Sequence, residues 1–262
     1  MIEGWAPPRL LDAGDGGLVV EFGDDVDEGV NMRVVALGSA IEALGLAGLK
    51  EVVPTYRSLL LVYDPLTLAP DRLRAEVGAL QARASQREDN CAALGSSAVP
   101  ERTDESRAIW RVPVLYGGEH GVDLDHVAAL HDLSSDEAIA LHSSAIYRVH
   151  MIGFAPGFAY LGGLPEALHT SRRADPRPRT PPRSVSIGGR QAAVSPPLEV
   201  PSGWRLLGQT PVRSYDPTRN GRPFLFEAGD RIRFEPISAR EYERLCRAAE
   251  AGEIVAEREA AL

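Results

Sequence analysis

Between Tyr147 and Leu164 the chain reads YRVHMIGFAPGFAYLGGL, and here residue types and spacing come nearest to a site. Glycines at 153, 157, 162 and 163 serve where the backbone takes positive φ or where a ligand or second strand comes close. Phe154, Phe158 and Tyr160 supply flat apolar walls around Pro156. The stretch holds no obvious nucleophile, which suggests a shaped backbone surface more than a side-chain catalytic machine; a buried barrel turn would read the same way. His142 and His150 flank its start, and either could be a general base or a hydrogen-bonding anchor, with a structural histidine as the ordinary alternative.

The second chemical feature is a run of cations, Arg172, Arg173, Arg177, Arg179, Arg183 and Arg190, opposed locally only by Asp175. Guanidinium forks bind carboxylates and phosphates through paired hydrogen bonds, so the run could hold an anionic ligand. Pro176, Pro178, Pro181 and Pro182 equally favour an extended, solvated segment. Other chemistries are excluded by pattern. The sequence has no GxxxxGK[ST] loop, no GxSxG elbow and no HExxH helix. His120, His126 and His131 are spaced by six and five residues, so one helical face cannot present all three, and a polar loop beside an exposed helix explains them better than a metal site. Lys50 is the only lysine, and its GLKEVV setting resembles the entry to a strand.

Composition narrows the partners. With 262 residues and 44% hydrophobic content the chain can fill two ordinary cores. A formal charge of −9 argues against general nucleic-acid affinity, and no apolar run approaches the roughly 20 residues of a membrane helix. The amino terminus lacks a signal-peptide layout, so a cytoplasmic protein is expected. Cys91 and Cys246 lie far apart with no CxxC and are expected as free thiols.

The elements that must position these residues fall into two blocks. From Arg9 to about Gln86 the pattern is strand, strand, helix, strand, strand, helix: Leu18–Phe22 is an apolar run, residues 26–46 repeat apolar side chains at helical spacing, strands follow near 51–55 and 58–63, and Pro70 suits the first turn of a second helix. This order fits a small ferredoxin-like α/β sandwich over residues 1–86. Residues 87–106 read as a linker or mobile loop. After a strand at 107–116 come helices near 124–131 and 135–142, the second opened by Ser134 and Glu137 at capping-box spacing. From Ile146 on, short apolar strands alternate with glycine and proline turns (SVSIGG, QAAVS, GWRLLG, PFLFEAGD, RIRFEPI), as in a closed β-barrel, which places a barrel domain at 107–238. Residues 239–262 are expected as a terminal helix interrupted near Gly252.

Four ordered motifs resemble one family. They are GFAPGFAYLGGLP from Gly153 to Pro165, SVSIGG with Gln191, the GWRLLGQTP run from Gly203, and GDRIRF from Gly229. With GDGGLVVEFG and YGGEHGVDL, they are similar to the family of B-type 5-oxoprolinase subunits, also called allophanate hydrolase subunit 1 or Kip-inhibitor-like, over nearly the whole chain outside the linker. The resemblance implies an α+β chain with a ferredoxin-like domain followed by a cyclophilin-like β-barrel. It implies a C-type partner subunit (allophanate hydrolase subunit 2), an A-type subunit in the oxoprolinase assembly, and a B–C pair similar to the carboxyltransferase domain of urea carboxylase. The activity implied is ATP-dependent opening of 5-oxoproline to glutamate, with allophanate or urea-derived substrates as a variant. ATP belongs to the assembly, with no cofactor assigned to this chain. The alternative function is inhibition of a sensor histidine kinase.

His142 and the Gly153–Leu161 core match the family pattern. The expected site therefore has His142 and His150 as catalytic candidates. Gly153, Phe154, Pro156, Gly157, Phe158, Tyr160, Arg177, Arg179, Gln191 and Trp204 are the substrate-binding candidates, and no metal is expected. Phe154, Phe158 and Trp204 are further expected to form an exposed apolar patch for the partner. The chain departs from the family at Arg183, where VPAGSV has glycine, at Ser195, where TGIYP has tyrosine, and at Ser202, where PGGW has glycine.

Overall fold

A computed structural model describes residues 8–24, 27–93, 109–219 and 221–259, side chains of 85–93 excepted. The chain divides into two compact units, Met1–Asp104 and Glu105–Leu262.

In the first unit, strands β1 (Arg9–Asp12) and β2 (Gly17–Glu21), helix α1 (Glu28–Ala43), strands β3 (Leu49–Pro54) and β4 (Ser58–Tyr63) and helix α2 (Pro70–Ala93) follow in order. The sheet order is β1-β2-β4-β3, antiparallel throughout. Strand alternation puts Leu18 and Val20 of β2 opposite Leu61 and Leu59 of β4 on one face. Val34 and Ile41 of α1 and Leu73 and Val77 of α2 close over that face. Asp27 caps α1 by accepting from the Val30 N–H at 3.1 Å, and Gly45, at φ 57°, lets the chain leave. This is the expected ferredoxin-like sandwich. Helix α2 continues to Ala93, into the stretch read as a linker, and 94–108 lie outside the described residues.

The second unit begins with β5 (Ile109–Tyr116), α3 (Leu124–Leu130), α4 (Ser135–Ser144), β6 (Ile146–Ile152) and β7 (Ala159–Gly162). It continues with β8 (Arg177–Thr180), β9 (Ser184–Gly188), β10 (Gln191–Val194), β11 (Val200–Ser202), β12 (Arg205–Gln209) and β13 (Arg231–Pro236). Helix α5 (Ala239–Glu250) and β14 (Glu257–Glu259) complete it. The pairing order β12-β9-β10-β7-β6-β13-β5 returns from β5 to β12, so seven strands close a barrel. Its interior holds Val112, Tyr147, Leu161, Ile187, Leu207 and Phe234. The capping box at Ser134 and Glu137 forms as its spacing predicts, with the Ser134 N–H donating to Glu137 at 2.8 Å.

Three expectations are corrected. PFLFEAGD makes no strand, only an isolated bridge between Tyr215 and Phe224. The proline-arginine run is not simply solvated, because β8 pairs with β11. The tail is a helix only to Glu250; Gly252, at φ 91°, turns it, and β14 joins β5, where Arg111 bridges Glu257 and Glu235. No helix among the described residues is long and apolar enough to cross a membrane. Cys246 is a free thiol, and the side chain of Cys91 lies outside the described residues.

Candidate functional site

Along β7 and β10 alternate side chains part ways. Ala159, Leu161, Ala192 and Val194 enter the barrel, whereas Phe158, Tyr160 and Ala193 form a separate cluster with Trp204 on the opposite face of the sheet. Phe158 lies 4.7 Å from the Tyr160 ring and 6.2 Å from Trp204, and Phe154 meets Phe158 edge-on at 5.6 Å. The Arg172 guanidinium covers Trp204 at 4.9 Å, a cation–π contact that closes one side. Gly188 lies beneath it, and a Cβ there would approach the Trp204 ring to 3.0 Å and press it outward. The Ser202 hydroxyl, at a position where the family has glycine, accepts from the Trp204 backbone N–H at 3.1 Å and holds the main chain at the start of β12.

The turn 153–158 sits at the rim of this cluster. Gly157, at φ 83°, lies so close to the 213–219 segment that a Cβ would come within 2.6 Å of Tyr215 and 2.8 Å of the Ser214 hydroxyl. Phe154 has φ 68° and is 63% exposed. A phenylalanine in the left-handed region costs about 1–2 kcal/mol, and an exposed ring returns little of it by packing. Phe154 and exposed Pro156 are therefore what the turn presents outward.

The expected patch is accordingly corrected. Phe158 and Trp204 are 2% and 6% exposed, buried within the chain by the turn and by Arg172, and only Phe154 of the three is open. Gln191 starts β10 half-buried, on the face that carries Ala193.

His142 is not at this rim. It is 0% exposed on α4, stacked on Phe234 at 4.8 Å, with Nδ1 against the Tyr116 hydroxyl at 2.7 Å. Its Nε2 is buried without a hydrogen bond, and burial lowers its pKa from the ordinary 6.5 to about 3. Held neutral among the rings of Tyr116, Tyr147 and Phe234, this histidine packs the barrel. His150 is buried on β6 at a register shift, its imidazole lying over Gly162 at the end of β7 away from the turn, so that a Cβ there would come within 2.4 Å of Nε2.

The two arginine candidates part as well. Arg177 donates to both Asp123 oxygens at 2.8 Å and to the Trp204 carbonyl at 3.1 Å, and Asp123 also accepts from the Leu206 N–H at 2.7 Å. Arg177 thus anchors β12 to the start of α3 and leaves no open fork for a ligand. Arg179 is exposed and faces Glu199 at 3.8 Å. The clustered histidines also go separate ways: His120 Nδ1 meets Gln209 at 2.6 Å, and His131 meets Thr170 at 2.9 Å. Arg183 sits at φ 61°, which explains why the family pattern has glycine there.

Sequence reading missed the roles of Arg172 and Ser214. Arg172 belonged to the arginine run but carried no mark distinguishing it from its neighbours. Ser214 had no local signal, since the fold alone brings it to Gly157, 57 positions away.

Comparison with known proteins follows the same lines. The family described as carboxyltransferase domain, subdomain C and D, matches residues 8–226. The B-type subunit of 5-oxoprolinase from Bacillus subtilis (strain 168) is 35% identical over 237 residues, covering 89% of this chain and 95% of that one. A crystal structure of TTHA0988 is 37% identical with a TM-score of 0.70; the match covers 85% of this chain but only 40% of that longer protein. The Kluyveromyces lactis urea carboxylase structure shares the fold, with a TM-score of 0.74 at 18% identity, over 98% of this chain and 24% of that one.

Proposed function

This chain belongs to the family of B-type 5-oxoprolinase subunits among the carboxyltransferase-domain proteins, and from that premise we propose that it is the B-type component of an amidohydrolase complex that opens 5-oxoproline to glutamate. Its site is one wall of a composite completed by a C-type subunit. An A-type subunit joins the assembly, and ATP is hydrolysed there.

The single observation that carries this reading is Phe154. An aromatic ring held in the left-handed region and left 63% exposed, above a cluster that is otherwise closed, is a surface built to be covered. The covering chain is a second protein in this reading, which agrees with the matched region being only part of the longer TTHA0988 and urea carboxylase chains.

A lactam is a poor electrophile. Phosphorylation of its oxygen would make the ring carbon open to water and demands a stabilised oxyanion. In this division of labour the present chain does not handle the phosphoryl group. The 153–158 turn and Phe154 exclude water from one side of the substrate, and turn backbone and arginine side chains orient its carboxylate or amide. Of the two histidine candidates, this reading retains His150.

The test is a glutamate-release assay with 5-oxoproline and ATP. The chain alone is expected to give no turnover, and addition of the C-type and A-type proteins is expected to give it. ATP-dependent turnover by the purified chain alone would overturn the composite site.

A further inference from the structure

The segment 213–219, which backs onto Gly157, carries hydrogen-bond donors with nothing to donate to. Arg213 Nε, the Ser214 hydroxyl and Arg219 Nη1 are each cut off from solvent and make no hydrogen bond within the chain. Buried donors without acceptors are rare in folded proteins, and each calls for a role or a missing partner.

Charge is unbalanced in the same segment. Asp216 is the carboxylate paired with Arg213, and its Oδ1 is already occupied by the Thr218 N–H at 3.0 Å and the Thr218 hydroxyl at 2.6 Å. Its Oδ2 stands 3.8 Å from Arg213 Nε, too far for a hydrogen bond. Arg219 is pinned over the segment by its Nη2, which donates to the Arg213 carbonyl at 2.7 Å. Two guanidinium groups thus share one acid and leave a single net positive charge. The Arg219 pKa is lowered, chiefly by burial and further by the nearby Arg213 charge, while Asp216 partly offsets both. An added anion would relieve both effects.

We propose that Arg213, Ser214 and Arg219 form an oxyanion-binding site for a small monocarboxylate. Guanidinium donors suit a planar two-oxygen acceptor. One net positive charge matches a monoanion, whereas Asp216 would repel a doubly charged phosphate. The site adjoins the turn through Ser214 and Gly157 and so lies beside the aromatic rim. Identifying the carboxylate as that of 5-oxoproline rests on the function proposed above; the oxyanion site itself rests only on these donors.

The full-length chain is titrated with acetate, 5-oxoproline, 2-pyrrolidone and inorganic phosphate, while the Arg213 side-chain Nε–H resonance, assigned through Arg213→Gln, is followed by NMR. Acetate is expected to move this resonance in a saturable way, and 2-pyrrolidone, which lacks a carboxylate, is expected to leave it in place. Arg219→Gln is expected to weaken acetate binding on the order of tenfold, and Ser214→Ala by less, while Arg190→Gln, an exposed arginine elsewhere, leaves it unchanged. A folded state is verified for each variant by its amide spectrum. No saturable shift with acetate, tighter binding of phosphate than of acetate, or equal loss in Arg190→Gln would each overturn the site. Saturation by acetate without saturation by 5-oxoproline would uphold the oxyanion site and remove the substrate assigned to it.

Discussion

The sandwich and the barrel solve the same problem of filling a core with different materials. The sandwich closes on aliphatic side chains such as Leu18, Val34, Leu61 and Val77, and Asn31 is its one fully enclosed polar residue among the described residues. The barrel unit buries aspartates, histidines, an arginine and a series of serines and threonines as well. Buried polar groups cost stability unless each finds a partner, so a unit that keeps many of them keeps them for position or chemistry. The barrel unit, which carries the candidate site, is the one that keeps them.

The contrast can be broken most severely in the barrel's own packing. Phe234→Ala deletes the ring stacked on His142 and 5.1 Å from Tyr147, and is expected to cost about 3–5 kcal/mol. Hydrogen exchange should then show barrel strands losing protection while β2 and β4 keep theirs; equal losses in both would erase the distinction. Asp123→Ala comes next. It leaves the Arg177 cation and the Leu206 N–H without their acceptor and is expected to cost about 3 kcal/mol in thermal unfolding. A cost near zero would mean that Arg177 is simply solvated.

Acid sharpens the comparison further. His142 is held neutral in the fold with its pKa lowered to about 3, whereas the unfolded chain takes up that proton below its ordinary 6.5. Stability from this group is therefore complete above about pH 6.5 and falls as pH drops toward 3, by up to about 1.4 kcal/mol per pH unit. Denaturant titrations between these limits should show that slope in the barrel. His142→Phe should flatten it, whatever it does to stability at neutral pH. An unchanged slope in His142→Phe would assign the acid response to other groups.

What the sequence made legible was whatever is written locally. The capping box at Ser134, the start of α2 at Pro70 and the strands written as SVSIGG, QAAVS, GWRLLG and RIRFEPI each depend on residues within a few positions, and each appears as expected. What stayed hidden depends on partners far along the chain. Asp123 and Arg177 are 54 positions apart, and nothing in the arginine run singles out the cation that an internal acid would claim. Phe158 and Trp204 read as surface aromatics because the cover over them, Arg172 and the Phe154 turn, is built from loops with no periodicity. His142 read as a site residue from its position beside the glycine stretch, whereas its place on α4 turns it into the barrel. The tail strand β14 was hidden for the same reason, since its pairing with β5 joins residues about 150 positions apart.

The smallest effect on stability is expected at the position to which the proposal assigns the partner contact. Phe154→Gly relieves the left-handed strain and is expected to change stability by at most about 1 kcal/mol. Titration calorimetry of the C-type protein into the wild-type chain and into Phe154→Gly therefore tests the central claim with the fold held constant. Binding should weaken on the order of tenfold in the variant with no fall in its unfolding temperature; equal affinity for the two chains would show that the turn is not the wall the partner completes.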